Sequence, residues 1–255
     1  MRDFRSILNI LGILLCIEAF AMLIPMLFDI YYKNLDWVQF FYSSLITFFI
    51  GIILYISFRK KNIKLGLREA FVLTISSWLL ISFFGSIPFV YSTANLSYTD
   101  AFFESVSGIT TTGSTVIYKL DYLSEGILVW RSLLQWFGGI GIIVLAMAIL
   151  PTLQIGGMQL LHMEHDDPYE KTIPKINRFV LELFILYIVL SVICGLLYFL
   201  NGMSAFDSLI HAMTTISTGG FSSYDQSIGY FNSYQIELVS IVFMIIGSLP
   251  FVLYL

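Results

Sequence analysis

Two short segments of the chain, residues 100–115 and 207–222, repeat one another at a constant offset of 107 residues. Each segment joins about ten mostly apolar residues to a turn rich in Thr, Ser and Gly. At a rise of about 1.5 Å per residue, a helix of that length reaches roughly halfway through a hydrocarbon core of about 30 Å. The repeat therefore predicts two re-entrant half-helices that end inside a membrane.

An aspartate opens each segment, Asp100 in the first and Asp207 in the second. Because aspartate is a good helix N-cap, both residues are predicted to cap their half-helices. The other end of each half-helix then points into the membrane at the Thr/Gly turn, and it carries about half a negative charge. We expect this end to attract a cation.

The turns can supply the oxygen atoms that a cation needs when it leaves water. Consecutive backbone carbonyls of an extended Thr-Thr-Thr-Gly or Ser-Thr-Gly-Gly run replace the hydration shell, and glycine relieves the steric limits on φ. Unpaired carbonyls are tolerated at membrane depth only where they line such a cavity. One such turn is typical of an ordinary loop, but two in register behind half-helices favour a pore.

The composition excludes a soluble domain of this length. Hydrophobic residues make up 58% of the chain and charged residues 12%, and the mean hydropathy is +0.85. The apolar stretches lack the alternation of period two that a membrane β-barrel requires. The sequence therefore predicts an all-α integral membrane protein with about six transmembrane helices, in addition to two re-entrant pore half-helices with their filter loops. The predicted spans cover approximately residues 7–30, 38–58, 67–91, 127–150, 179–200 and 236–255.

A unit of helix, half-helix, filter turn and helix is predicted to occur twice. The resulting segments are an N-terminal two-helix membrane segment at 1–66, a first repeat at 67–160, a cytoplasmic loop at 161–177 and a second repeat at 178–255. In the helices that follow the turns, Gly139 is matched with Gly247 at an offset of 108. Small residues there predict close packing against the filter turn or against a neighbouring repeat.

Basic residues predict the orientation of the chain in the membrane. One side holds Arg2, Arg5, Arg59, Lys60, Lys61, Lys64, Arg68, Lys171, Lys175 and Arg178, whereas the opposite side holds only Lys33, Lys119 and Arg131. Since short loops rich in Lys and Arg stay in the cytoplasm, the N-terminus is predicted to be cytoplasmic. The half-helices then enter from the outer face, where acidic residues outnumber basic ones and concentrate cations.

No constellation of reactive side chains points to an enzyme. The histidines have no nucleophile at a suitable spacing, so we expect no catalytic residues, no cofactor in this chain and no nucleic-acid partner. Glu18 and Glu182 lie near the interiors of predicted spans, where a charge is costly. Each is expected either to lie close to an interface or to pair across helices.

Several motifs are similar to those of one transporter family. They are Asp-Ala-Phe-Phe-Glu-Ser from residue 100, Ser-Gly-Ile-Thr-Thr-Thr-Gly-Ser-Thr from residue 107, Leu-Gln-Trp-Phe-Gly-Gly-Ile-Gly from residue 134, Gly-Gly-Met-Gln-Leu from residue 156 and Ile-Ser-Thr-Gly-Gly-Phe from residue 216. With these motifs the chain resembles the TrkH potassium-uptake subunits of the Trk/Ktr superfamily. The resemblance implies a K⁺-selective, ion-coupled or gated permeation pathway. It implies that K⁺ binds at Thr110, Thr111, Thr112 and Gly113 in the first turn and at Ser217, Thr218, Gly219 and Gly220 in the second.

The resemblance also implies a setting and partners. Subunits of this kind are dimeric, multi-pass proteins of the bacterial inner membrane, surrounded by membrane lipid, with a cytoplasmic nucleotide-binding regulator of the TrkA type. Members of the family carry four repeats around one pore, whereas this chain has two. We therefore expect that the chain by itself does not sustain potassium uptake.

Three explanations for the two missing repeats remain open. Either the chain is the N-terminal half of a split or truncated subunit that needs a complementary C-terminal half, or two copies assemble a four-turn pore, or the product is a non-conducting remnant. A hypothesis from a different class is a non-conducting membrane module that modulates the assembly of a complete subunit.

Overall fold

The computed structural model describes residues 4–59, 66–153 and 172–249 together with residue 254. Within these ranges the regular structure is helical throughout, which confirms the predicted all-α class. In chain order the helices are α1 (Phe4–Ala21), α2 (Leu23–Tyr32), α3 (Trp37–Ser57), α4 (Leu67–Gly85), α5 (Ile87–Tyr91), α6 (Tyr98–Ile109), α7 (Glu125–Leu153), α8 (Thr172–Leu200), α9 (Ala205–Ile216) and α10 (Tyr234–Ser248). Short 3₁₀ helices lie at Leu120–Tyr122 and Ser227–Phe231.

Four helical stretches in the described ranges are long and apolar enough to cross a membrane. They are Phe4–Tyr32, Trp37–Ser57, Arg68–Tyr91 and Val180–Leu200, and they match the first, second, third and fifth predicted spans. The helix in the sixth predicted span, α10, is apolar but has only 15 residues. The helical membrane architecture is therefore confirmed, while the total of about six spans stays a prediction.

A proline interrupts the third span between α4 and α5. Because Pro88 cannot continue the helical ladder, the N–H of Phe89 bonds to the carbonyl of Ser86 at 3.1 Å and not to that of Gly85. The freed Gly85 carbonyl accepts a hydrogen bond from Trp130 Nε1 at 2.9 Å. The break thus fastens α4 to α7.

Two of the three helices that precede the repeats, α1 and α3, pack closely through glycines. A Cβ on Gly12 of α1 would lie 2.7 Å from the carbonyl oxygen of Gly51 of α3 and 2.6 Å from the backbone nitrogen of Tyr55, so a larger residue cannot occupy this position. Asn9 on α1 donates from Nδ2 to the carbonyl of Tyr55 at 3.0 Å. These contacts hold α1 against α3.

A half-length helix lies between two other helices twice along the chain. We call α6 and α9 the half-helices, and each has 12 residues. One hydrophobic core surrounds Trp130 of α7 and includes Ile109 of the first half-helix, and the other surrounds Tyr198 of α8 and includes Ile216 of the second. The half-helices therefore end in different cores, although Met213 of the second half-helix also belongs to the first core.

The boundaries of the predicted segments remain predictions. α4 begins at Leu67, where the first repeat is predicted to start. α8, however, already begins at Thr172, within the predicted loop 161–177. The part of that loop at 161–171 lies outside the described residues.

Candidate functional site

The half-helices begin with the same hydrogen-bonded cap, but aspartate is not the capping residue. The hydroxyl oxygens of Ser97 and Ser204 accept from the backbone N–H groups of Asp100 and Asp207 at 3.2 and 3.0 Å. Each serine hydroxyl in turn donates to the aspartate carboxylate at 2.7 Å. The prediction that Asp100 and Asp207 are N-caps is therefore wrong, because a serine three residues earlier reaches the same N–H group, as in a capping box.

The half-helices also end in the same backbone motif. In the first turn, the N–H of Thr112 bonds to the carbonyl of Ser107 at 2.9 Å, and the N–H of Thr111 bonds to that of Gly108 at 2.9 Å. The second turn repeats both bonds 107 residues later, at 2.8 and 3.0 Å. This pair of bonds is a Schellman motif, which ends a helix with one residue in the left-handed conformation.

A threonine takes that left-handed position in both turns. Thr111 has φ 55° and Thr218 has φ 53°, a conformation that is unfavourable for a β-branched residue and that glycine or asparagine usually adopts. Two residues further on, Gly113 and Gly220 have φ 80° and 82°. Strained residues of this kind occur at ligand clamps, where the surrounding structure holds them.

The structure brings the two turns into contact. A Cβ on Gly113 would lie 2.0 Å from the carbonyl oxygen of Gly219, so the first turn lies directly against the second. Because of its positive φ and this contact, Gly113 tolerates no side chain. All eight residues predicted to bind an ion therefore belong to one pair of adjacent turns, and ion binding there stays a prediction.

Most of the carbonyls in these turns are free to bind a ligand. Among the described residues, no hydrogen-bond donor reaches the carbonyls of Thr110, Thr111, Thr112, Gly113, Thr218, Gly219 or Gly220. Ser217 differs, because its carbonyl accepts from the hydroxyl of Thr218 at 2.7 Å. The side-chain hydroxyl of Thr110 is also occupied, since it donates to the carbonyl of Val106 at 2.7 Å.

Side chains at equivalent positions of the two repeats hold the segment that follows each turn. Thr115 Oγ1 donates to Glu104 Oε1 at 2.9 Å, and the same positions of the second repeat hold Ser222 and His211, whose Oγ and Nε2 are 3.0 Å apart. His211 Nδ1 lies 2.8 Å from the carbonyl of Asp207, so Nδ1 carries the proton and Nε2 accepts from the serine. Burial lowers the pKa of His211, which favours this neutral form.

One buried arginine of α7 connects both repeats. Arg131, only 1% exposed, donates from Nε to Glu104 Oε1 at 2.8 Å and from its terminal nitrogens to Thr115 Oγ1 at 3.1 Å and to the carbonyl of Ser222 at 2.9 Å. Its guanidinium carbon lies 4.2 Å from the centre of the Phe221 ring. The planar guanidinium thus fixes the segments after both turns at once.

Gln135, one helical turn after Arg131, reaches the second filter turn. Its Oε1 accepts from the backbone N–H of Phe221 at 3.1 Å. A Cβ on Gly219 would lie 2.3 Å from this carboxamide, so the absence of a side chain on Gly219 makes room for it. The carboxamide is completely buried.

The helix that follows each turn packs on the last carbonyl of its half-helix through a glycine. A Cβ on Gly138 would lie 2.0 Å from the carbonyl oxygen of Ile109, and one on Gly247 would lie 2.6 Å from that of Ile216. The offset of 108 residues predicted that Gly139 is the equivalent of Gly247, whereas the equivalent residue is Gly138, one position earlier. Gly139 instead lies against Ser217 of the other repeat.

Comparisons with known proteins agree with this geometry. The family model of TrkH, described as a cation transport protein, matches residues 37–255. The chain belongs to the TrkH family.

Relatives of this TrkH-family chain are potassium uptake proteins by name. This chain is 42% identical over 255 residues to the Trk system potassium uptake protein TrkH of Vibrio parahaemolyticus, and the match covers 99% of this chain and 53% of the relative. This chain is also 42% identical over 248 residues to the Escherichia coli protein of the same name, and that match covers 96% of this chain and 51% of the relative. The chain therefore spans about half the length of the curated relatives it matches.

A solved structure shares the fold of the TrkH-family chain. The crystal structure of the potassium transporter TrkH from Vibrio parahaemolyticus matches with a TM-score of 0.89 at 40% sequence identity, covering 99% of this chain and 51% of that one. Together with the apolar helices, this match shows that the chain is a membrane protein.

Two functional contacts of this TrkH-family chain were missed in the sequence. Arg131 was counted as an outer-side charge, whereas it is buried in α7, and Gln135 was not singled out. The position of Arg131 inside a predicted span was the available signal, because a charge there persists only when it is paired.

Proposed function

We propose that this chain supplies half of a potassium-conducting pathway in a Trk-type uptake system. The proposed K⁺ ligands are the backbone carbonyls of Thr110, Thr111, Thr112 and Gly113 and of Ser217, Thr218, Gly219 and Gly220. The observation that carries the proposal is the pair of adjacent turns with one backbone geometry and seven carbonyls that accept no hydrogen bond from the described residues. Ser217 is the exception, and its carbonyl, which accepts from the Thr218 hydroxyl, has a second lone pair for the ion.

The proposed chemistry replaces the hydration shell of K⁺ with these carbonyl oxygens. At membrane depth, free carbonyls are tolerated where they line a cavity or bind an ion. The C-terminal ends of both half-helices lie at the turns, so their partial negative charges add to the attraction for a cation. The opposite charges of Arg131 and Glu104 neutralise each other behind the first turn, so the fixed arginine does not repel the ion.

An ion in this pathway needs oxygens from further sides. We propose that two more turns come from a complementary C-terminal half or from a second copy of this chain in a dimer. We propose a cytoplasmic regulator of the TrkA type as a further partner; the names of the relatives place those proteins in a Trk system. No nucleic acid and no cofactor other than the transported K⁺ belongs to this proposal.

Tracer uptake tests the proposal directly. The host is a bacterium without its own potassium-uptake systems. We expect rubidium uptake when the chain is expressed together with the C-terminal half of a TrkH relative. We expect no uptake when only one of the two halves is expressed. In the co-expressed chain, Gly229→Ala should leave rubidium uptake unchanged, because a Cβ on Gly229 meets nothing within 4 Å. Absence of uptake from the correctly inserted pair would refute the function, and uptake by the chain alone would favour the pore made of two copies.

We propose the bacterial inner membrane as the location, with a cytoplasmic N-terminus. The distribution of Lys and Arg supports this orientation. Tyr122, which is 84% exposed, is a suitable labelling site on the proposed outer side. A single cysteine there and one at position 62, which lies outside the described residues, should react with a membrane-impermeant reagent from opposite faces; reaction from one face would refute the orientation.

A further inference from the structure

A buried carboxyl and a buried hydroxyl have no hydrogen-bond partner among the described residues. Glu18 of α1 is 6% exposed, and both of its carboxyl oxygens are unpartnered. Ser105 of the first half-helix is completely buried, and its hydroxyl is also unpartnered. Buried polar groups are rarely left in this state, because each one forfeits its hydrogen bonds to water.

The two groups meet beside Gly85 at the end of α4. A Cβ on Gly85 would lie 2.8 Å from Ser105 Oγ and 3.0 Å from Glu18 Oε1. These two oxygens therefore lie within about 6 Å of each other without bonding directly. This limit admits one bridging water molecule, because two hydrogen bonds of about 2.8 Å each, at the bond angle of water, join oxygens about 4.5 Å apart. Leu134 closes the same point, with Cδ2 at 3.4 Å.

Among the described residues, no Lys or Arg side chain is paired with Glu18. The guanidinium of Arg131 is bonded to Glu104, Thr115 and Ser222. The other titratable or charged groups on α1, on the first half-helix and on the helices packed against them are Arg5 and Cys16 of α1, Asp29, Tyr31 and Tyr32 of α2, Tyr42 and Tyr55 of α3, Arg68 and Glu69 of α4, Tyr91 of α5, Tyr98 and Asp100 of α6 and Glu125 of α7. Of the two bases among these, Arg5 lies roughly 20 Å along α1 from Glu18, and Arg68 lies roughly 25 Å along α4 from Gly85.

We propose that Glu18 carries a proton and that, together with Ser105, it binds one buried water molecule beside Gly85. The carboxyl O–H donates to this water, and the water donates to the hydroxyl oxygen of Ser105. An ionised carboxylate without a partner would be far more costly here than the neutral acid. A neutral Glu18 also leaves Arg131 to Glu104, the residue next to Ser105. The bridge fastens the first span to the first half-helix, and it does not depend on whether the turns bind K⁺.

Infrared difference spectroscopy on the reconstituted chain tests this site. We expect the wild-type spectrum minus that of Glu18→Gln to show the carbonyl band of a protonated carboxylic acid, and we expect this band to shift in heavy water. A carboxylate band in its place would overturn the proposal. A carboxylate band that changes when Na⁺ replaces K⁺ would also overturn it, since the site would then hold a metal cation.

Two further variants keep the proposal testable if Glu18→Gln does not fold. Ser105→Ala should move the acid band to the position of a more weakly hydrogen-bonded carboxyl, and Gly85→Ala should do the same because its Cβ displaces the water. Gly141→Ala is the control, since a Cβ there meets nothing within 4 Å. An acid band that is unchanged in both test variants would refute the water bridge.

Discussion

The buried ion pair between Arg131 and Glu104 allows a quantitative prediction about stability. Replacing Arg131 with methionine leaves the Glu104 carboxylate, which is 0% exposed, without its cation. Removing one partner of a buried pair costs about 3–5 kcal/mol, because the remaining charge is uncompensated. Since Thr115 Oγ1 and the N–H of Val116 still donate to the carboxylate, we expect the lower end of this range, about 3 kcal/mol.

Thermal unfolding of the purified chain in detergent measures this loss. For a chain of this size, about 3 kcal/mol lowers the melting temperature by roughly 6–12 °C. Trp130 reports unfolding by fluorescence, because it lies in the core next to the pair. Adding Glu104→Gln to Arg131→Met removes the stranded charge, so the double variant should be more stable than Arg131→Met alone.

An exposed arginine provides the matched control. Arg68 at the start of α4 is exposed, so Arg68→Met should shift the melting temperature by about 2 °C or less. An Arg131→Met variant that melts at the wild-type temperature would refute the predicted cost of breaking the pair. Losses from the two single variants that simply add in the double variant would refute it as well, because the side chains would then be energetically independent.

Three other predictions concern the turns and their supports. Gly113→Ser and Gly220→Ser should both weaken the preference for K⁺ over Na⁺ in tracer uptake by the assembled pore. The effect of Gly113→Ser should be larger, because its Cβ would lie 2.0 Å from the second turn, whereas a Cβ on Gly220 meets nothing within 4 Å. Unchanged selectivity in both variants would count against the turns as the selectivity filter. Gly138→Ala should lower the melting temperature by several degrees relative to Gly141→Ala, because its Cβ would lie 2.0 Å from the last carbonyl of the first half-helix. Burial lowers the pKa of His211, so the stability due to its neutral form is present above the ordinary histidine pKa of about 6.5 and is lost as the pH falls through the lowered value. The melting temperature should therefore fall over that acidic range less in His211→Gln than in the wild type, and equal slopes would exclude His211 as the cause.

The two repeats share a backbone but differ in the polar contacts that support it. Asp207 is held by Ser204, Ser223 and Tyr224, whereas Asp100 bonds to Ser97. The acidic Glu104 of the first repeat is replaced at the same position by His211. The turns are therefore equivalent in shape but not in electrostatics.

Local patterns in the sequence determined the membrane class, the half-helices and the turns. Helix length, the offset of 107 residues and the position of Gly113 act through neighbouring residues, so they can be read without the fold. The cap was misplaced by three residues for the same local reason. Serine and aspartate are both good N-caps, and the final choice depends on which oxygen the backbone brings to the free N–H group.

Only the tertiary structure decided which distant residues support the turns. Arg131 meets Glu104 across 27 residues and Ser222 across 91, and no spacing rule connects such positions. The choice of Gly138 over Gly139 depends on the rotation of α7, because one residue turns a helix by about 100° and presents another face. Glu18 was recognisable as costly, but its meeting with Ser105 beside Gly85 arises where three separate helices pack together, and that packing is a property of the whole fold.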